Sequence, residues 1–133
     1  MYLVDTNIIS ELARPRPDAR VFAWLAAHDA SISVITIDEL SFGIARAQPV
    51  HRKRLEPWFE QLLATIGAIF DVTPAIAQAA GQLRAQRTRA GRPVAQADML
   101  IAATATVHRL ALATRNEKDF ADCGLTIVNP FDD

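Results

Sequence analysis

Four acidic residues stand at four separate places in the chain. Asp5 follows the apolar run Tyr2-Leu3-Val4, and Glu39 lies a few residues past Ile32-Ser33-Val34-Ile35. Asp98 interrupts an otherwise apolar helical stretch, and Asp119 lies just beyond Leu110-Ala111-Leu112-Ala113. Carboxylates brought together repel one another unless a cation holds them. A divalent metal ion would do so, and metal-held acids of this kind serve phosphodiester cleavage. Hard oxygen donors suit Mg²⁺ or Mn²⁺ rather than Zn²⁺. Other chemistries lack their residues. His28, His51 and His108 are scattered, with no H-E-x-x-H, and the sequence contains no Walker P-loop, G-x-G-x-x-G or nucleophile elbow.

Each acid has a structural use to weigh beside a chemical one. Asp is common at strand-to-helix turns, but Asn7 is the better cap for the helix that follows, which leaves Asp5 for function. Glu39 closes Thr36-Ile37-Asp38-Glu39, an S/T-x-x-E capping box, so capping and catalysis compete for it. Asp38 turns about 100° away from Glu39 on a helix and serves only the dipole. Asp98 shares a helix face with Ile101, Ala102 and Ala105, placing a carboxylate on the apolar side. Burying it unpaired costs several kcal/mol, so it needs a cation, hydrogen bonds, a proton or an arginine such as Arg115. Asp119 belongs to Thr114-Arg115-Asn116-Glu117-Lys118-Asp119-Phe120, where Asn116 can also offer a carbonyl oxygen and Thr114 a hydroxyl. Asn116 and Asp119 therefore share the fourth position as candidate metal ligands.

The elements that must position these residues alternate between strand and helix. Strands are expected at Leu3–Val4, Ile32–Ile35, Ala68–Val72, Leu110–Thr114 and Leu125–Val128. Helices are expected from Asn7 to Ala13, stopped by Pro15 and Pro17, and over 18–27, 37–47, 52–65, 73–89 and 95–108. Short apolar strands between helices predict a three-layer α/β/α fold with a central, mainly parallel sheet of four to five strands. Ligands of such sheets bind beyond the carboxyl ends of the strands, where Asp5, Glu39 and Asp119 fall.

The length of 133 residues suits a single domain over 1–133. Half of the residues are hydrophobic and 22% are charged, the balance of a folded globular chain. Cys123 is the sole cysteine and cannot form an internal disulfide, which suits a reducing cytoplasmic setting and a buried structural thiol. The N-terminus has no basic region before its first acid, and no apolar run approaches the ~20 residues of a membrane span. Net charge is −1, yet twelve of the 14 basic residues are Arg. They cluster at 14–20, 52–54 and 84–92, as solvated helix faces or as patches for a phosphate backbone.

Val4-Asp5-Thr6-Asn7, Glu39, Ala97-Asp98 and Ala113-Thr114-Arg115-Asn116-Glu117-Lys118-Asp119-Phe120, in this order over nearly the whole chain, resemble a PIN domain of the VapC-like toxin type, including its FitB-like branch. The resemblance implies an Mg²⁺- or Mn²⁺-dependent ribonuclease, the toxin of a toxin–antitoxin pair. Asp5, Glu39 and Asp98 would be its acidic triad, with Thr6 and Thr114 as polar supports. Asn116 stands where many members carry Asp, and Asp119 lies three residues on, which bears on whether one metal or two are held. A homodimer, bound by a small antitoxin in a hetero-oligomer, is the implied assembly. Two other classes compete: a non-catalytic PIN-like module that binds RNA or protein, and an aspartate-based phosphatase or phosphoacceptor with Asp5 as nucleophile. The haloacid pattern would want a second Asp where Asn7 stands.

Overall fold

The protein is described by a computed structural model over residues 1–132. Its elements run β1 (Tyr2–Val4), α1 (Thr6–Leu12), α2 (Ala19–Ala27), β2 (Ala30–Ser33), α3 (Val34–Ala45), α4 (Pro49–Thr65), β3 (Ala68–Phe70), α5 (Pro74–Arg89), α6 (Gln96–His108), β4 (Ala111–Ala113), α7 (Glu117–Phe120), β5 (Ile127–Val128) and a 3-10 turn at Pro130–Asp132. All strand pairs are parallel, in the order β3-β2-β1-β4-β5.

Two apolar layers follow from the period of two along a strand. Leu3 and Leu112, register partners on β1 and β4, face one way and pack with Ile76, Ala80, Met99, Ile101 and Phe120 from α5, α6 and α7. Val4 and Ala113 face the other way and pack with Ile8, Ile9, Val21, Trp24 and Leu40 from α1, α2 and α3. The α/β/α layering is thus as the alternation predicts. The chain builds β2 and β3 on one side of β1 and then returns to add β4 and β5 on the other. That reversal makes a crevice at the carboxyl ends of β1 and β4. The Asp5 N–H donates to Ala113 O there at 2.9 Å, closing the two strand ends together.

Several boundaries differ from the sequence reading, and two of them matter for the site. The second strand stops at Ser33 rather than Ile35, because the Ser33 hydroxyl accepts from the Ile35 N–H and starts α3 at Val34. The β-branched pair Val34-Ile35 reads as strand locally but is helix here. The first helix is capped by Asp5, whose carboxylate accepts from the Thr6 N–H, and not by Asn7. A short helix, α7, also forms over Glu117–Phe120, where the alternation of strands and helices predicts no element. By contrast, α5 begins after a Thr73 cap with Pro74 at its first position and ends at Arg89, as its signals predict.

Candidate active site

Asp5, Thr6, Asn7, Ser10, Glu11, Arg14, Glu39, Asp98 and Asn116 line one open cavity of about 450 Å³. Three separate places deliver Asp5, Glu39 and Asp98: the β1–α1 junction, the second turn of α3 and the first turn of α6. A cavity of similar size, about 440 Å³, opens before the strand starts, where Met1, Asp29 and Gly67 lie. It gathers a single carboxylate and offers no comparable chemistry.

Asp5 is only 3% exposed and its two oxygens are both engaged. Oδ1 accepts from the Thr6 N–H at 2.8 Å, and Oδ2 from Thr114 Oγ1 at 2.8 Å and Asn7 Nδ2 at 3.2 Å. Burial raises its pKa, opposed by the Thr114 and Thr6 hydrogen bonds and assisted by the charges of Glu39 and Asp119. The premise that Asn7 caps α1 and frees Asp5 therefore fails, since Asp5 does the capping and also stands at the centre of the cluster. Asn7 has a different task. It reaches Asp5 through Nδ2 and receives the Arg115 N–H on Oδ1 at 3.2 Å, joining α1 to the segment after β4.

Glu39 is not the closing member of a capping box. With Ser33 as cap, Thr36 lies inside α3 and fully buried. Glu39 Oε1 instead accepts from Thr6 Oγ1 at 2.6 Å, across 33 residues of chain. Thr36 Oγ1 lies 2.9 Å from Thr6 Oγ1. A hydroxyl has one proton, so Thr6 gives its own to Glu39 and accepts that of Thr36.

Asp98 lies on the buried side of α6, with Ile101, Ala102 and Ala105 all fully buried beside it. Its carboxyl is pushed up to about 6, first by burial and then by the charges of Asp5, Asp119 and Glu39. No cation lies within ion-pair distance of it among the described residues. Arg115, a partner considered from sequence, sits instead over the Phe131 ring, 4.3 Å from the ring centroid.

The fourth corner is divided. Asn116 lines the cavity, with its N–H on Thr114 Oγ1 at 3.0 Å. Asp119 is outside the lining on α7, yet close enough for its charge to raise both Asp5 and Asp98. Thr114 is buried beneath Asp5 and acts through it. Sequence reasoning missed Glu11, a buried acid that accepts from the Asp18 N–H at 2.9 Å and pairs with Arg14. It also placed Arg87 in a surface patch. Arg87 is buried, and its guanidinium donates to Asp119 O at 3.1 Å and Lys118 O at 3.4 Å, holding α7 in place.

Among the described residues, no group of three or more His, Cys, Asp or Glu side chains lies closely enough together to hold a metal ion by itself. The donors around the cavity are all hard oxygens, and Asp98 has no countercharge. That combination fits Mg²⁺ or Mn²⁺, since Mg²⁺ keeps several waters and takes one or two carboxylates rather than an all-protein cage. Asp5, Glu39, Asp98 and Asn116 all line this one cavity.

Known proteins resemble the chain in sequence and fold over nearly its whole length. Residues 2–124 match the family described as PIN domain. Toxin FitB of Neisseria gonorrhoeae is 38% identical over 141 aligned positions, covering 100% of both chains. VapC ribonuclease Y4jK of Sinorhizobium fredii is 36% identical over 140 positions, covering 99% of each. The crystal structure of FitAcB from Neisseria gonorrhoeae superposes with a TM-score of 0.86 at 36% identity, covering 98% of this chain and 99% of that one. A toxin-antitoxin complex from Klebsiella pneumoniae superposes with a TM-score of 0.77 at 32% identity, covering 98% of each chain.

Proposed function

The chain belongs to the PIN domain family, and on that premise we propose that it is an Mg²⁺- or Mn²⁺-dependent endoribonuclease, the toxin of a toxin–antitoxin pair. The observation that carries the reading is Asp98, a half-buried carboxylate with no cation beside it, facing Asp5, Glu39 and Asp119. Evolved chains leave such a group uncompensated where a ligand supplies the charge. The names of two relatives, a toxin and a ribonuclease, support the same reading.

A bound Mg²⁺ or Mn²⁺ would supply countercharge to the phosphate and acidify the attacking water. Asp5 and Asp98 would hold it, with Asn116 or Asp119 at the remaining side. Thr114 and Asn7 fix the plane of Asp5, so the one lone pair left on its Oδ1 keeps a single direction. Glu39, oriented by Thr6, accepts the proton of the attacking water. The water oxygen bonds phosphorus, the bond to the 3′ oxygen breaks, and that oxygen leaves as a hydroxyl after taking a proton from solvent. The products are a 5′-phosphate and a 3′-hydroxyl. No histidine lines the cavity to serve 2′-hydroxyl chemistry. Single-stranded or looped RNA fits an open cavity better than a duplex does.

We assign the partner as a small antitoxin protein and the assembly as a homodimer of toxins within that complex; the solved toxin-antitoxin complex of similar fold supports the partner. No helix among the described residues is long and apolar enough to cross a membrane. An Asp5 nucleophile, as in an aspartate-based phosphatase or phosphoacceptor, is disfavoured because Asn7 stands where the haloacid pattern would place a second Asp. A non-catalytic RNA- or protein-binding module is the second reading, favoured by the lack of a tight three-acid group. Cleavage of single-stranded RNA in Mg²⁺ or Mn²⁺ against EDTA decides between them. Metal-dependent cleavage that drops about 100-fold in Asp98→Asn is expected. Equal cleavage by wild type and variant, or none by either, overturns the enzyme reading.

A further inference from the structure

Beside the acidic cavity lies a second one, of about 420 Å³, and the two share Glu11 and Arg14 as a common wall. Arg14, Arg20 and Arg115 all line the second cavity, but they are not equivalent. Arg14 pairs with Glu11 at 3.3 Å and Arg20 with Asp18 at 2.8 Å. Arg115 has no carboxylate within ion-pair distance among the described residues. Its guanidinium carbon lies over the Phe131 ring, 4.3 Å from the centroid.

The stack is anchored at both ends. Phe131 is 8% exposed, and its N–H donates to Asn129 Oδ1 at 3.0 Å, while Asn129 Nδ2 donates to Glu117 Oε2 at 3.0 Å. The Arg115 N–H donates to Asn7 Oδ1, and Asn7 touches Asp5. Arg115 itself is exposed. One side of the guanidinium is covered by an aromatic ring and the side chain is open to solvent. A guanidinium is weakly hydrated and planar, so it stacks on flat partners. Unpaired RNA bases stack on Arg planes in this way. Acids and arginines balance in this cavity, three of each, so bulk charge does not make it a phosphate patch.

We infer that the Arg115–Phe131 stack is a base-stacking platform for single-stranded RNA that leaves the acidic cavity past Arg14. The inference rests on the ribonuclease reading and adds a subsite next to its chemistry. Arg115 would hold one unpaired base near the cleaved bond by its flat face, and Arg14 would meet the intervening backbone. Stacking of this sort tolerates any base identity, since every base has a π-face. The platform thus selects unpaired over paired RNA at one position.

The test is kinetic. Single-stranded RNAs cleaved by the wild-type protein are remade with one abasic nucleotide at each position in turn. With wild type, one position near the cleaved bond should lose on the order of tenfold in kcat/KM, mainly through KM. Arg115→Ala should lose as much on intact RNA and then be indifferent to the abasic change. Arg115→Gln, flat but uncharged, should retain more of the abasic sensitivity than Arg115→Lys, charged but not flat. Lysine restoring full activity would assign a phosphate contact and overturn the platform. So would abasic sensitivity that is the same in wild type and Arg115→Ala, or an Arg115→Ala defect confined to binding an antitoxin. Wild type that cleaves RNA equally at every abasic position defeats the platform and leaves the ribonuclease reading standing. Wild type that cleaves no RNA defeats both.

Discussion

Thr6 Oγ1 lies 2.6 Å from Glu39 Oε1 and donates its only proton to it. Thr6 stands at the start of α1 and Glu39 in α3, so this bond joins the two helices that follow the paired strands β1 and β2. It sets where one carboxylate oxygen of Glu39 points and leaves the other free for solvent or substrate.

Removing that proton should misdirect Glu39 without unfolding the chain. Thr6→Val is expected to lower RNA cleavage about 10–100-fold, the usual cost of losing a residue that orients a metal-site group. Thr6→Ser keeps the hydroxyl and should retain most of the activity. Equal activity in both variants would show that the bond orients nothing that matters.

Glu39→Gln separates chemistry from stability. Glu39 caps no helix here, so its replacement should leave thermal unfolding nearly unchanged. Cleavage should fall about 100–10,000-fold if Glu39 is the general base. A variant that melts earlier but cleaves normally would restore the capping role instead.

Asp98 couples stability to pH in metal-free buffer. Its carboxyl titrates at 3.8 in the unfolded chain and at about 6 in the fold. Below both values the group is protonated in either state and contributes nothing. As pH rises from 4 to 6 the unfolded chain ionises first, so stability falls through this window and stays reduced above it. Asp98→Asn should remove its share of that decline, leaving the share of buried Asp5, and stabilise the metal-free protein at pH 7 by about 1 kcal/mol, after discounting for its half exposure. Added Mg²⁺ or Mn²⁺ should raise the wild-type melting temperature at pH 7 and leave Asp98→Asn unmoved. The reverse pattern, with wild type indifferent to the ion, would count against Asp98 as a ligand.

Arg87 should matter through α7. Its guanidinium, 6% exposed, meets the carbonyls of Lys118 and Asp119, and Arg87→Ala leaves these without their donor. A loss of about 2–4 kcal/mol in denaturant unfolding is expected. An effect below 0.5 kcal/mol would mean that water replaces the guanidinium freely.

Some of this protein is legible in a single pass along the chain. Thr73-Pro74 and the apolar spacing behind it define α5, because caps and N-terminal prolines act within one turn. Asp98 reveals its buried side by spacing alone, since a helix fixes which neighbours share a face. Asp5 stands out by its place at a strand end, although Asn7 looks the better cap for α1. The capping premise failed because Asp5 and Asn7 both carry oxygens suited to an N-terminus, and local chemistry does not rank them.

The tertiary structure decided the rest, and distance along the chain is the cause. Glu39 had two partners open to it, a nearby backbone N–H and a hydroxyl 33 residues away, and only the pairing of β1 with β2 brings the hydroxyl within reach. Thr114 holds Asp5 across 109 residues because β1 pairs with β4. Arg87 looked like one more surface arginine until α7 folded over it. Periodicity fixes which side of an element is buried, and strand ends fix where polar residues collect. Which of those residues bond to each other is settled only when the sheet order puts them side by side.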